Sequence, residues 1–143
     1  MTDVNEAEWF IEHAKQFLEM AKRSELATFR GESFLFYPTF YCAAHAVELA
    51  AKAHLLKAGI TLETLKRRDV GHDLKALQKL LKSEVPDLLD YEAQQVMFYG
   101  SKEYAGKNFE YPIPFVSTLP IGNWISVGQN LIKKFEANGD HSA

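Results

Sequence analysis

Apolar residues recur every three or four positions along five stretches of the chain, which is the spacing of an amphipathic helix. The first stretch, residues 7–21, predicts a helix from about Asp3 to Leu26. The second is the most apolar part of the chain and is rich in alanine between residues 42 and 51. Pro38 fits the first turn of this central helix, and Gly59 fits its end.

Two shorter helices are predicted in the middle of the chain. Leucines at helical spacing follow His72, and Asp69 is the expected N-cap of this third helix. The pair Pro86-Asp87 is expected to open a fourth helix that reaches about Tyr104. The third helix follows a basic connection, residues 60–70, for which no regular element is expected.

A long loop and a final helix are predicted in the C-terminal part. Residues 105–119 combine glycine, prolines and aromatic residues, which indicates an irregular loop held down by aromatic side chains. Ser117 or Thr118 then fits the N-cap of a helix that ends at Asn138-Gly139. No stretch alternates with a period of two, so no sheet is expected.

These patterns predict an all-α fold, a four- to five-helix up-and-down bundle. No repeat or linker divides the chain, so we expect one domain over residues 1–137 and a frayed tail over residues 138–143. Aromatic residues at helical spacing are expected in the core: Phe10, Phe17, Phe40, Trp124 and Phe135. Those in less regular segments are expected to line a dimer interface: Phe34, Phe36, Tyr37, Phe109, Tyr111 and Phe115.

The composition excludes several classes of protein. Of the 143 residues 47% are hydrophobic, which is enough for a core and too many for intrinsic disorder. The single cysteine, Cys42, excludes an intramolecular disulfide and a multi-cysteine zinc site, and its apolar neighbours predict an unreactive thiol. The acidic N-terminus lacks the apolar core of a signal peptide, and no run of about 18 apolar residues occurs. We therefore expect a cytoplasmic protein without membrane association.

Charge is distributed unevenly along the chain. The formal net charge is -3, but residues 52–82 contain eight basic and three acidic residues, a net +5 that leaves -8 for the rest. Such a segment can attract phosphate groups that the remainder repels. The alternative is an ordinary solvated helix face, because surface lysines at helical spacing are common.

Four polar residues are candidates for a binding site. Glu48 and Lys52 are four residues apart on one helix face and can pair, either as a structural ion pair or as part of a pocket. In the second interpretation Glu48, Lys52, His72 and Lys102 converge to bind a phosphate or nucleotide. The two lysines supply charge, His72 a switchable donor, and Glu48 orients them.

His72 has two interpretations of its own. Together with Asp73 it stands at the predicted start of the third helix, where backbone N–H groups attract anions. The alternative is a capping histidine that bonds the preceding loop.

Metal and cofactor sites are not predicted. His45 with Glu48, or His13 with nearby carboxylates, gives two ligands without a third at useful spacing. The chain also lacks a glycine-rich phosphate loop and a nucleophile elbow of the type Gly-x-Ser-x-Gly. We expect neither a metal nor a cofactor.

Two segments carry a family resemblance. Residues 45–56, His-Ala-Val-Glu-Leu-Ala-Ala-Lys-Ala-His-Leu-Leu, and residues 71–77, Gly-His-Asp-Leu-Lys-Ala-Leu, resemble the HEPN (higher eukaryotes and prokaryotes nucleotide-binding) domain family. The resemblance extends to residues 7–14 and to residues 99–104. It implies a bundle of four or five helices, commonly a homodimer, linked to nucleotidyltransferases, toxin–antitoxin pairs and defence systems.

Some members of that family are metal-independent ribonucleases, which carry an arginine followed a few residues later by a histidine. Arg67 and His72 have such a spacing, although His72 begins the third helix and not a later one. In this resemblance Arg67 stabilises the scissile phosphate and His72 acts as acid or base on the 2′-hydroxyl. Lys102 stands where the family frequently has an arginine, and it lacks the guanidinium fork.

The leading hypothesis is therefore a HEPN-like, homodimeric module of a toxin–antitoxin, defence or nucleotidyltransferase-associated system. We expect it to bind a nucleotide, RNA or a partner protein, such as a nucleotidyltransferase or antitoxin, without strong catalysis of its own. The alternative is a metal-independent endoribonuclease that uses Arg67 and His72. A second alternative is a structural accessory subunit.

Overall fold

Six helices make up the part of the chain that the computed structural model describes, residues 2–31, 36–67, 70–105 and 119–139. Within these ranges the side chains of residues 2–5, 36, 102, 103, 105, 138 and 139 are not described. The helices are α1 (Thr2–Phe29), α2 (Phe36–Lys57), α3 (Leu62–Leu65), α4 (Leu74–Glu84), α5 (Tyr91–Ala105) and α6 (Ile121–Gly139). The described residues contain no strand, and the predicted all-α bundle is confirmed.

Helix α2 lies at the centre of the bundle and packs against α1, α4 and α6. Small side chains allow this close packing. At Gly128 of α6, for example, a Cβ atom would lie 3.9 Å from the Cβ of Ala46. Pro38 lies in the first turn of α2, and Gly59 follows its end with a φ of +103°, as predicted. The fully buried alanines of α2 are Ala43, Ala44, Ala46, Ala50, Ala51 and Ala53.

Helix α1 buries the face that its apolar pattern predicts. Ala7, Ile11, Ala14, Leu18 and Ala21 are buried in the core. Of the aromatic residues predicted for the core, three are buried and two are half-buried and packed against it. The buried ones are Phe40, Trp124 and Phe135, and the half-buried ones are Phe10 and Phe17.

The predicted start of α4 is wrong by a few residues. Asp73, and not Asp69, is the N-cap, because its extended backbone lets its carboxylate accept hydrogen bonds from the amides of Lys75 (3.0 Å) and Ala76 (3.2 Å). The helix therefore begins at Leu74, and Asp69 lies outside the described residues.

The predicted start of α5 is also wrong. Pro86 and Asp87 lie in a turn, and the helix begins at Tyr91 after Asp90. The Asp90 carboxylate accepts a hydrogen bond from the Ala93 amide at 2.8 Å, which is the geometry of an N-cap. The connection at residues 60–70 also differs from expectation, because it contains the one-turn helix α3.

Helices α5 and α6 are joined by polar and apolar contacts. Glu92 accepts hydrogen bonds from Asn123 (2.8 Å) and Ser126 (2.9 Å) of α6. Further along, a Cβ at Gly100 would overlap the ring of Trp124, which is fully buried. The glycine therefore allows α5 to pack directly on the Trp124 indole.

Several predictions fall on the remaining parts of the chain. The loop at 105–119 lies outside the described residues apart from its two ends, as do the candidate caps Ser117 and Thr118 and the tail beyond residue 139. The same holds for most of the aromatic residues predicted at a dimer interface, while Tyr37 is half-buried. Among the helices described, none combines the length and the hydropathy needed to span a bilayer.

Candidate functional site

A buried carboxylate on the central helix is the hub of the candidate site. Glu48 is 1% exposed, and its Oε2 accepts a hydrogen bond from the Nζ of Lys52 one turn later, at 2.6 Å. Its Oε1 accepts a hydrogen bond from the Tyr104 hydroxyl of α5, also at 2.6 Å. The Nδ1 of His72, which lies just before α4, is 3.0 Å from both carboxylate oxygens. Glu48 thus joins α2, α5 and the start of α4.

The Glu48 carboxyl is ionised despite its burial. Burial alone raises the pKa of Glu48, but the neighbouring donors outweigh it. They are the His45 imidazole, whose Nδ1 is 3.6 Å from Oε1 and closer to Tyr104, the Lys52 ammonium, which contributes both charge and a hydrogen bond, and the Tyr104 hydroxyl. The pKa of Glu48 therefore lies far below its ordinary range, and its oxygens only accept hydrogen bonds.

An accepting carboxylate fixes the tautomers of two histidines. The Nδ1 of His72 must carry a proton to bond Glu48, so the Nε2 holds the lone pair when the ring is neutral. The Tyr104 hydroxyl gives its proton to Glu48, so the His45 Nδ1, 2.8 Å from the same hydroxyl, acts as the donor to it. A hydrogen-bonded chain thus runs from His45 through Tyr104 and Glu48 to His72.

The segment that carries His72 is held in place by α5. The Ser101 hydroxyl donates to the Asp73 carboxylate at 2.9 Å and accepts from the Lys75 amide at 3.2 Å. Ser101 and Tyr104 are three residues apart, so one face of α5 holds both the α4 cap and the Glu48 carboxylate. His72 directly precedes Asp73, and this cap therefore places the imidazole.

These contacts correct two predictions for the start of α4. The amides of Lys75 and Ala76 bind Asp73, so the N-terminus of α4 is already occupied by a side-chain carboxylate and is not an open anion site. The Nδ1 of His72 bonds Glu48 on α2, and not the preceding loop as the alternative interpretation expected. The predicted pairing of Glu48 with Lys52 is confirmed.

A cavity of about 600 Å³ opens beside Glu48. Its polar lining comes from α2 and from the connection between α3 and α4: His45, Glu48, Lys52, Lys66, Arg67 and His72. Its apolar lining comes from α1, α2 and α3: Phe10, Leu49, Leu62 and Leu65. Among the described lining residues, three side chains are cationic and one is a carboxylate.

The structure brings together three of the four predicted pocket residues, Glu48, Lys52 and His72. The fourth, Lys102, lies in α5, but its side chain is outside the described part of the chain. Arg67, which the alternative function requires, lines the same cavity as His72.

Sequence reasoning missed the role of Tyr104 in this site. The tyrosine is 56 residues from Glu48 in sequence, and no local spacing signals that the two meet. His45 was within reach of prediction, because it stands three residues before Glu48 on the same helix face. Its Nδ1 is hydrogen-bonded to the Tyr104 hydroxyl.

The described basic residues of the segment 52–82 do not all lie at the cavity. Lys52 is nearly buried in its pair with Glu48, whereas Lys66 and Arg67 are exposed at the cavity. The Lys75 ammonium lies 4.4 Å from the centre of the Phe98 ring on α5. The cavity therefore receives only part of the positive charge that the sequence concentrates here.

The described residues also bear on a metal site and on the thiol of Cys42. Among the described residues no group of three or more histidine, cysteine, aspartate or glutamate side chains is arranged to hold a metal ion. Cys42 is half-buried, and burial raises the pKa of its thiol, which keeps it protonated and weakly reactive.

Comparison of the chain with protein-family models, with curated proteins and with solved structures gives no match.

Proposed function

We propose that this chain is a HEPN-like module that binds a nucleotide or RNA by its phosphate in the cavity beside Glu48, without strong catalysis of its own. One observation carries the proposal: three cationic side chains line one cavity together with a single described carboxylate. A volume of about 600 Å³ also lies in the range of sites that enclose small ligands.

The pairing around Glu48 explains how the charge is presented. Lys52 is paired with Glu48, and Lys66 and Arg67 in the connection before His72 add two further cations to the lining. A guanidinium can bind two phosphate oxygens at once, which gives Arg67 the leading role in affinity. The Nε2 of His72 adds a donor to an anion when the ring is protonated.

Binding measurements with adenosine 5′-monophosphate and a fluorescent single-stranded RNA test this proposal. Arg67→Ala is expected to weaken binding about tenfold or more, because a charge-assisted hydrogen bond is lost. The slope of log affinity against log salt should become shallower by about one. Arg23→Ala is the matched control, since Arg23 is an exposed arginine of α1 paired with Glu19.

Two outcomes would contradict the proposal. Equal affinities of the Arg67→Ala and Arg23→Ala variants for these ligands would show that the cavity is not the binding site. The absence of any salt-dependent binding would favour the structural accessory subunit, which neutralises no phosphates.

A second candidate, a metal-independent endoribonuclease, is favoured by the orientation of His72. Its Nδ1 is held by Glu48, so a neutral ring has the Nε2 lone pair to accept a proton, and Arg67 lines the same cavity. In this mechanism the His72 Nε2 takes the proton of a 2′-hydroxyl, and the Arg67 guanidinium stabilises the phosphate as that oxygen attacks it. The bond from phosphorus to the 5′-oxygen breaks, and the 5′-oxygen takes a proton from water, which gives a 2′,3′-cyclic phosphate and a 5′-hydroxyl end.

Incubation of the protein with mixed RNA in EDTA separates the two candidates. If the protein cleaves the RNA, and if His72→Ala abolishes this cleavage whereas His13→Ala preserves it, the protein is a ribonuclease. The proposal of a binding module without catalysis would then be wrong. His13 is an exposed histidine of α1 and provides the matched control. Intact RNA after prolonged incubation would contradict the second candidate.

The proposal includes a homodimer and a nucleotidyltransferase or antitoxin partner. It is supported by large aromatic side chains exposed on α1 and α5, among them Trp9 at 71%, Phe29 at 89% and Tyr91 at 77%. Light scattering is expected to give twice the 16.2 kDa of one chain. A monomer at micromolar concentration would contradict the dimer, and a neighbouring gene for a nucleotidyltransferase or antitoxin would support the partner.

A further inference from the structure

We propose that the face shared by α4 and α5 attaches the protein to the surface of an anionic membrane. The proposal concerns residues outside the cavity beside Glu48 and does not depend on the proposed function. The residues of this lysine–aromatic face are Lys75, Lys79, Lys82, Tyr91, Phe98 and Tyr99.

Three lysines form one ridge of α4. Lys75, Lys79 and Lys82 are separated by four and three residues, so they lie on the same side of the helix, and all three are exposed. Among the described residues, none of these lysines is paired with a carboxylate. The ridge therefore offers positive charge to a partner.

The acidic residues near this ridge do not lie along it. Asp73 and Glu92 are bonded within the fold, to the start of α4 and to α6. Glu84 comes about two and a half turns after Lys75 and so lies on the opposite side of α4. The remaining described carboxylates are in the turn beyond the end of α4, at Asp87 and Asp90.

The aromatic side chains lie beside the ridge on α5. The two helices run antiparallel, because Gln78 donates a hydrogen bond to the Gln94 carbonyl at 3.1 Å and the Lys75 ammonium lies 4.4 Å from the centre of the Phe98 ring. The same register places Lys82 at the level of Tyr91. A row of positive charge therefore runs alongside a row of aromatic rings.

These rings are in contact with water. Tyr91 is 77% exposed, Phe98 46% and Tyr99 55%, and the rings of Phe98 and Tyr99 lie 5.0 Å apart. Exposed rings next to lysines are typical of surfaces at the membrane–water interface, where the rings lie among the headgroups and the ammonium groups attract anionic lipids. Such attachment needs no spanning helix, so it revises the expectation of no membrane association.

The choice of cation favours a lipid surface over a macromolecule. Neither α4 nor α5 contains an arginine, which is the residue that grips individual phosphates with two hydrogen bonds. Lysine is also depleted in protein–protein interfaces. A membrane presents many anionic headgroups without fixed positions, which suits point charges on flexible side chains.

Sedimentation with lipid vesicles tests the attachment. One set of vesicles is phosphatidylcholine alone, and the other is an equal mixture of phosphatidylcholine and phosphatidylserine. We expect binding to the phosphatidylserine vesicles to be tighter by about tenfold or more, because each lysine gains from the anionic surface. This binding should weaken as salt is raised, since exposed charges are screened.

Four variants assign the contacts. Lys79→Ala is expected to weaken binding to phosphatidylserine vesicles about fivefold. Lys133→Ala, at an exposed lysine of α6, is the matched control and should leave it unchanged. Phe98→Ser is expected to weaken binding by about the same factor, whereas Met20→Ser, at an exposed apolar residue of α1, should not. Circular dichroism of each variant confirms that the fold is retained.

A tryptophan in the face reports whether the rings enter the lipid. In a Trp9→Phe background, Phe98→Trp adds an indole to the buried Trp124. Its fluorescence should shift to shorter wavelength with phosphatidylserine vesicles, because the ring leaves water, and should stay unchanged with phosphatidylcholine alone.

Several results would overturn the proposal. They are equal binding to the two kinds of vesicle, equal binding of Lys79→Ala and Lys133→Ala to phosphatidylserine vesicles, and an unshifted fluorescence of Phe98→Trp. Single-stranded RNA and polyglutamate represent the other occupants. Binding of either that Lys79→Ala weakens, without binding to vesicles, would assign the face to a nucleic acid or an acidic protein and overturn the membrane attachment. The vesicle assays contain no nucleotide, so their failure would leave the proposed function standing.

Discussion

Two glutamates of this chain stand four residues before a cation on a helix, and their surroundings differ completely. The Glu19–Arg23 pair of α1 is exposed, with its Nε–Oε1 distance at 2.9 Å. The Glu48–Lys52 pair is almost entirely buried and receives further hydrogen bonds from Tyr104 and His72. The same spacing therefore gives a weak surface pair in α1 and a strongly coupled buried cluster in α2.

Glu48→Gln is expected to lower the free energy of unfolding by about 3–5 kcal/mol, because it leaves the Lys52 charge buried without its counter-charge. The new amide also places a donor among groups that already donate. Urea unfolding measures the change. Glu19→Gln, the matched change in the exposed pair, is expected to cost less than about 1 kcal/mol, and equal costs would contradict the role assigned to Glu48.

His54 makes the stability depend on pH. The residue is 3% exposed in α2, and its Nε2 lies 2.8 Å from the Leu131 carbonyl oxygen of α6. Burial lowers the pKa of His54, the carbonyl opposes this, and the charges of Lys57 and Lys134 lower the pKa further. As the pH falls below about 6.5, the unfolded chain takes up this proton first. The free energy of unfolding is therefore highest above that pH and decreases below it.

Urea unfolding at pH 7.5 and pH 5.5 tests this dependence. His54→Gln keeps a side-chain donor but cannot titrate, so the decrease between the two pH values should become smaller, by up to about 1.4 kcal/mol. The exposed His13 provides the control, because His13→Gln should leave the decrease unchanged. If the free energy of unfolding of His54→Gln decreases as much as that of the unaltered protein, groups other than His54 cause the pH dependence.

The candidate site could be predicted from sequence only where its contacts are local. The pairing of Glu48 with Lys52 follows from helical spacing. The meeting of Glu48 with Tyr104 depends on how α5 packs against the rest of the bundle, and no pattern within either segment encodes it. His72 was identified as a polar residue at a helix start, but its partner is on another helix.

At the scale of the helices, the interiors were predicted well and the starts were not. Apolar periodicity marks the buried face of a helix over several turns. A start depends on which nearby polar residue reaches the first free amides, and the connections before α4 and α5 each offer two aspartates. Asp73 caps α4 in place of the expected Asp69, and Asp90 caps α5 in place of the expected Pro86-Asp87 start.

Asp73→Ala is expected to lower the free energy of unfolding by about 1–2 kcal/mol, because the Ala76 amide and the Ser101 hydroxyl lose their acceptor and the Lys75 amide keeps only its bond to Ser101. Chemical denaturation measures the loss. Asp87→Ala, in the exposed turn before α5, is the matched control and should change stability by less than about 0.5 kcal/mol. A loss for Asp87→Ala as large as that for Asp73→Ala would contradict the role of Asp73 as the N-cap of α4.

Gly100→Ala is expected to destabilise the protein by about 1–3 kcal/mol. The new methyl group would overlap the buried Trp124 ring and push α5 away from α6. Gly122→Ala in the first turn of α6 is the control, since a Cβ there meets nothing within 4 Å. Its stability should be unchanged or raised by less than about 1 kcal/mol. Thermal unfolding compares the two, and equal stabilities would contradict the close contact.

At the scale of the whole molecule, the described helices share one hydrophobic core. Helix α2 packs against α1, α4 and α6, and α5 packs against α4 and α6. The composition was enough to predict a single core of this kind. The basic segment, in contrast, was predicted as one region and is divided between the cavity and the face of α4, because a helix distributes successive residues around its axis.

A shared core predicts a single cooperative unfolding transition. In the variant Trp9→Phe the fluorescence reports Trp124 alone, which lies in the core, while circular dichroism reports all helices. Both signals should give the same midpoint in urea. Separate midpoints would show that α6 unfolds independently of the rest.

The alanines of α2 restrict how the sequence can vary. An alanine side chain loses no rotameric freedom on burial, so this helix is packed without that entropic cost. The same closeness leaves no room for growth, since Ala46 faces Gly128 and its neighbours Ala50 and Ala53 are also fully buried. A library of random substitutions should therefore retain only glycine, alanine or serine at these positions, whereas Met20 on the outer face of α1 should accept many residues. The alanine-rich stretch of α2 therefore has less freedom to vary in sequence than the exposed face of α1.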